Sequence, residues 1–233
     1  MSRGARARGR SLAAVAVALA VALVALVALA VALVALAPAA RADRYEASLG
    51  LGAQLAAARV GEPGATARWT GAVGLGARAS YATDNRWAYD LELATVVTEP
   101  VTYADLARTA NGRPARGAAT RRTVAASLTF GGELRLGPRF IPTVRLGLGP
   151  QLRHRSASDL GALTGAIPAE LTVDVAVSLR LGVDLRLGRH RVVGLGLHFE
   201  RAQPLAGAAP IDIVGLHLRL DHYGYPRWQA PAW

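Results

Sequence analysis

Residues 171–187 read LTVDVAVSLRLGVDLRL, with an aliphatic side chain at every odd position and Thr, Asp, Ala, Ser, Arg, Gly, Asp and Arg between them. A period of two marks a β-strand, whose side chains point in turn to opposite faces. From Asp43 onward eight such runs can be followed. Their aliphatic or aromatic positions span 45–55, 69–81, 87–97, 124–136, 140–152, 171–187, 193–199 and 214–220. Three joins are short, at 83–86, 137–139 and 188–190, and the other four, at 59–67, 99–121, 155–169 and 201–210, are longer.

Short and long joins alternate, so the pattern predicts an even-stranded antiparallel meander with turns at one end and loops at the other. Which face is wet then decides everything else. A 17-residue strand extends roughly 56 Å, longer than the ~40 Å width of a compact domain of this size. Glycines at 50, 52, 74, 76, 147, 149, 194 and 196 share the polar face. There they would make room inside a narrow barrel for large charged neighbours. Those neighbours are Arg78, Asp90, Glu92, Glu133, Arg135, Arg145, Arg153, Asp174, Arg180, Asp184, Arg186, His198, Glu200, His217, Arg219 and Asp221. Both signs occur on the one face, so the charges can pair there, as buried charges must. Tyr45, Tyr81, Trp87, Tyr89, Phe140 and Tyr223 gather near the short-turn end, and Trp69 and Phe199 near the loop end, as expected of membrane-interface girdles. Phe130 falls mid-strand as lipid-facing bulk. The expected fold is therefore an all-β, eight-stranded antiparallel up-and-down transmembrane β-barrel over residues 43–222, followed by a tail at 223–233.

Residues 1–42 read as a secretory signal peptide. MSRGARARGR carries four arginines and no acid, an uncharged run follows from Ser11 to Ala37, and Ala40-Arg41-Ala42 supplies a small-x-small cleavage pattern. The apolar run is 27 residues, long enough also to serve as an inner-membrane anchor. All 27 basic residues are arginine, and removing 1–42 leaves 22 of them against 16 acids, a net +6. The arginines are dispersed along the strands rather than gathered between aromatics, which argues against a nucleic-acid partner. Cysteine is absent, so disulfides, thiolate metal sites, a cysteine nucleophile and a lipid-modified Cys are excluded.

The eight alternating strands resemble the small outer-membrane barrels of Gram-negative bacteria, the OmpA/OmpX-like class. That resemblance implies a monomer in the outer membrane, both termini periplasmic and the long loops extracellular. Its partners would be outer-membrane lipid, lipopolysaccharide and the barrel insertion machinery, with no cofactor and no metal. Such barrels commonly end their last strand on an aromatic residue, whereas here PRWQAPAW follows the strand and places Trp233 outside it.

Candidate chemistry is sparse. His198 and Glu200 face inward with His217 on the next strand, a conceivable metal set, though paired interior charge explains them as well. His154-Arg155-Ser156 resembles the HxS motif of outer-membrane lipid A deacylases, which are also eight-stranded barrels. The likeness implies His154 as base, Ser156 as nucleophile and Asp159 or Glu170 as the orienting acid. A narrow diffusion pore is a third possibility, with charges of both signs in the way. The preferred expectation is a non-enzymatic barrel with a structural, adhesive or loop-mediated binding role. Loop 99–121, polar and arginine-bearing, is read as a solvated loop that could meet lipopolysaccharide phosphate.

Overall fold

The computed structural model describes residues 46–62, 65–83, 86–110, 113–136, 140–159, 166–187, 191–205 and 208–224. The signal segment, Tyr45 and most of the C-terminal tail with Trp233 lie outside the described residues. Twelve strands follow in chain order: β1 (Glu46–Val60), β2 (Arg68–Ala82), β3 (Trp87–Thr98), β4 (Val101–Ala110), β5 (Arg113–Arg121), β6 (Thr123–Arg135), β7 (Phe140–Arg155), β8 (Ser158–Asp159), β9 (Ala166–Ile167), β10 (Glu170–Arg186), β11 (Arg191–Pro204) and β12 (Ile211–Gly224).

Eight of them close into a barrel in the order β1-β12-β11-β10-β7-β6-β3-β2, and β2 returns to β1. Every pair in it is antiparallel. These eight are the strands that the period-two pattern predicts. The last runs to Gly224, two residues beyond the expected barrel end.

Closure fixes the faces. On β10, Leu171, Val173 and Val177 on the outside are 61%, 47% and 52% exposed, while Asp174, Ser178 and Asp184 on the inside are at most 3% exposed. Apart from a cluster at the loop end and a few apolar side chains near the turns, among them Ile141 and Val192, the interior is filled by polar side chains, and the aliphatic face is the outer one.

Two expectations need correction. Loops 99–121 and 155–169 carry strands of their own: β4 pairs with β5, and β8 with β9, each as a separate two-stranded sheet. The 99–121 segment is a hairpin that continues from β3 and β6 beyond the barrel rim, paired strands where a loop is expected. Its pattern is hidden by an irregularity between Tyr103 and Leu106, where the register with β5 shifts. The second correction is Tyr223, which is 3% exposed and faces inward. It shares the parity of Arg219 and Asp221, and Arg135 and Arg186 lie 5.5 Å and 6.0 Å from its ring centre.

Candidate functional site

The charged network begins where the glycines allow it. A Cβ at Gly50 would collide with the Asp221 carboxylate, and one at Gly147 would lie 2.6 Å from both Arg145 Nη1 and Ser178 Oγ. In the space so made, five arginines meet five acids. Arg78 reaches Asp90 (2.7 Å) and Glu133 (2.8 Å). Arg145 reaches Asp90 (2.6 Å) and Glu92 (3.4 Å), and Arg180 also binds Glu92. Arg219 binds Asp184 and Asp221, each at 2.7 Å, and approaches Glu133 at 3.5 Å. Arg135 Nε donates to Glu133 at 2.8 Å. Each of these ten residues is at most 7% exposed. A barrel interior can hold such charges because each finds an opposite partner at hydrogen-bond range.

Nearer the loops, Arg153 Nε sits 2.9 Å from Asp174, and Gln151 Nε2 donates to Glu200 Oε1 at 2.6 Å. The loop end itself is apolar: Ala58, Val60, Ala72, Val96, Ala176, Ala202, Ile211 and Ile213 from the staves cluster with Val101, Tyr103, Leu106, Ala119 and Ile167 from the two hairpins. Sequence reasoning missed this cork because it treated the hairpins as loops.

Ion pairs fasten it. Arg121 Nη1 contacts Glu62 at 3.1 Å and Glu170 at 3.8 Å, and Arg155 Nη1 contacts the same two acids at 3.1 Å and 3.8 Å. Arg121 also donates to the carbonyls of Ser156 and Pro168. Tyr103 donates its hydroxyl to Val60 O at 3.1 Å. Burial, followed by the nearby Glu62 carboxylate, pushes that hydroxyl up to about 12. In mid-barrel a cavity of about 20 Å³, room for one water, touches Gly52, Gly76, Arg180 and His217.

Outside, the uncharged band has measurable height. On β12 the outward positions from Val214 to Leu220 are apolar, bounded by Asp212 and His222; on β11 Arg201 and Arg191 bound the same rows. The ten steps from 212 to 222 extend about 33 Å at ~3.3 Å each, or about 25 Å along the axis of a barrel tilted near 40°. That is the apolar height of an outer-membrane barrel. Trp69, Trp87 and Tyr89 are exposed towards its borders, and Tyr89 stacks on the exposed Phe130 at 6.2 Å and 6°.

This is the architecture of an outer-membrane β-barrel.

Several solved structures are similar to the chain over most of its length. The chain is similar to the attachment invasion locus protein Ail of Yersinia pestis, crystallised with the heparin analogue sucrose octasulfate, at 14% identity and a TM-score of 0.47, covering 78% of this chain and 99% of that one. It is also similar to Neisserial surface protein A, at 10% identity and 0.46, over 76% and 96%. The outer membrane protein AlkL, determined in DMPC lipid bilayers, is similar at 13% and 0.43, over 81% and 94%. No protein-family model and no curated protein matches the chain.

His154 and Glu170 of the sequence-predicted set lie on two faces. His154 lies opposite Val124 and Leu171 on the outward side of β7, and Ser156 follows beyond the strand end. Ser156 Oγ accepts the backbone N–H of Arg122 at 2.9 Å. No hydrogen bond joins His154 to Ser156 among the described residues. Glu170 lies opposite Arg155 on the other face and is tied to the Arg121 and Arg155 guanidiniums. The side chain of Asp159 lies outside the described residues.

His198 Nε2 stands 3.6 Å from Glu200, and His217 lies opposite Gly196, one strand away. Among the described residues no three His, Cys, Asp or Glu side chains gather as a metal site.

Proposed function

We propose that this protein is a monomeric, non-enzymatic outer-membrane barrel that holds a β-hairpin rigidly outside the membrane as its binding element. The observation that carries the reading is how β4–β5 is rooted. Tyr103 and Leu106 are inserted into the apolar cork at 3% and 0% exposure, and Arg121, at the far root, is clamped by Glu62. Fixed at both roots, the paired strands β4 and β5 keep a defined course away from the barrel, so a partner meets a preorganised surface and less ordering entropy is lost on binding.

The filled interior supports a plug over a pore. Opposed ion pairs fill the turn-end half of the barrel, and in the loop-end half the apolar cork packs beside further buried ion pairs, so little lumen is left for a water path. The separation of His154 from Glu170 across the barrel wall weighs against the ester-hydrolysis reading, which needs base and acid on the same side.

In this reading the termini are periplasmic and the hairpins extracellular, with lipopolysaccharide as the surrounding lipid and the insertion machinery as the route of assembly. The test is proteolysis of intact cells producing the full chain. Cleavage within 104–118 that leaves the barrel membrane-bound is expected. Complete protection in intact cells, with cleavage only after the outer membrane is breached, would place the hairpin on the periplasmic side and overturn the proposal.

A further inference from the structure

One row of outward side chains interrupts the aliphatic surface at the loop-end border of the band. Trp69 on β2 lies opposite Arg59 on β1, Arg59 opposite Asp212 on β12, and Asp212 opposite Arg201 on β11. The Asp212 carboxylate stands 3.6 Å from Arg59 Nη1 and 3.5 Å from Arg201 Nη1. Both distances exceed the ~2.7–2.9 Å of a charge-assisted hydrogen bond, so one carboxylate is shared loosely between two cations. The Asp212 side chain is 11% exposed, while those of Arg59 and Arg201 are 50% and 55% exposed.

Other charges at this height have different engagements. The exposed Arg68 gives one N–H to the Thr102 carbonyl at 3.2 Å. Glu99 lies beside Gly71, where an added Cβ would be 3.0 Å from its carboxyl carbon. Arg59 and Arg201 therefore share the single carboxylate of Asp212, and this outward trio keeps one positive charge.

Depth gives this row its meaning. One step towards the turns, the outward positions are Ala57, Val214 and Phe199, and below them the band is aliphatic. In water, a loose ion pair of this kind contributes little. At the edge of an apolar band the same guanidiniums face the headgroup layer, where arginine's planar fork matches phosphate oxygens in pairs.

We infer that Arg59 and Arg201, straddling Asp212, form a binding site for the phosphate of a membrane-lipid headgroup in the loop-end leaflet. The inference rests on the membrane placement proposed above. Asp212 lies between the two arginines, 3.6 Å from one and 3.5 Å from the other, and Trp69 lies opposite Arg59 on the next strand.

The full chain is refolded into phosphatidylcholine vesicles with and without phosphatidic acid, and into phosphatidylcholine vesicles with inorganic phosphate. Unfolding in urea reads lipid dependence, and the mobility shift between unboiled and boiled protein reads barrel formation. Phosphatidic acid is expected to raise the unfolding midpoint, and inorganic phosphate to leave it unchanged. R59Q and R201Q are each expected to weaken the lipid dependence about fivefold. R59K/R201K, which keeps the charge without the fork, should retain part of it, and D212N should strengthen it.

Equal response of the wild type and R59Q/R201Q to phosphatidic acid, with the mobility shift intact, overturns the site and spares the barrel. An equal response to inorganic phosphate assigns a free-anion site and overturns the headgroup assignment. Loss of the mobility shift in the wild type itself overturns the membrane reading beneath both.

Discussion

Replacing Glu133 by Gln tests how the charged interior is held. Glu133 is fully buried and faces three arginines: Arg78 at 2.8 Å, Arg135 at 2.8 Å and Arg219 at 3.5 Å. The amide keeps the shape and removes the charge. Arg78 retains Asp90, and Arg219 retains Asp184 and Asp221, so both keep a carboxylate. Arg135 loses its ion-pair partner and is left against the Tyr223 ring.

Breaking a buried pair by removing one partner costs about 3–5 kcal/mol, most of it from the charge left behind. Arg135 is the one strongly affected, so E133Q is expected to cost about 3 kcal/mol. Removing the stranded charge as well should recover most of that, and E133Q/R135Q is expected to be more stable than E133Q. Urea unfolding of bilayer-embedded protein, followed by tryptophan fluorescence, gives each value. A loss below about 0.5 kcal/mol for E133Q, the usual size of a surface change, would refute the buried-pair account. So would a double variant as unstable as the sum of the two single ones.

Four further outcomes follow from the same geometry. Gly147→Ala should cost about 1–3 kcal/mol, because its Cβ meets Arg145 and Ser178, whereas Gly132→Ala, with nothing within 4 Å of its Cβ, should be neutral or stabilising; urea midpoints compare them. Tyr103→Phe removes the bond to Val60 O and should loosen the hairpin by about 0.5–1.5 kcal/mol, read as faster proteolysis of β4–β5 with the barrel intact. With the Tyr103 hydroxyl raised to about 12, the folded chain holds that proton longer than the unfolded one. Stability from this group is therefore intact below about pH 10 and lost as pH rises towards 12, and an ultraviolet titration should show a late-ionising tyrosine that Tyr103→Phe removes. Ser156→Ala should leave the acyl-chain mass of lipid A unchanged in mass spectra of producing cells.

The eight staves were legible because each repeats its pattern over many residues and both faces carry information. On β10 the odd positions are uniformly aliphatic and the even ones polar or small, and closure of the barrel only decides which set points out. The glycines were legible for the same reason: Gly50 and Gly147 share the face of Asp221 and Arg145 and stand where those side chains need space.

The β4–β5 hairpin was not, since the shift between Tyr103 and Leu106 breaks the period after two inward residues. Asn111-Gly112, between the ends of the two strands, is the signal that could have found it, being a favoured two-residue hairpin turn. Tyr223 was assigned by residue type, as an interface aromatic, when its parity with Asp221 placed it inside. The Arg59–Asp212–Arg201 row could not be read in sequence, because residues on three strands come together only when β12 closes the barrel against β1.

The most direct test of the account places an arginine at two depths on β12. Leu216, 55% exposed, lies near the middle of the uncharged band, and Val214 near its loop-end border. In bilayers Leu216→Arg is expected to cost about 2–4 kcal/mol and Val214→Arg about 0–1 kcal/mol, because the cost of a lipid-facing charge depends on depth. Equal and small costs at both positions would mean that the aliphatic face meets water, and would contradict the membrane barrel.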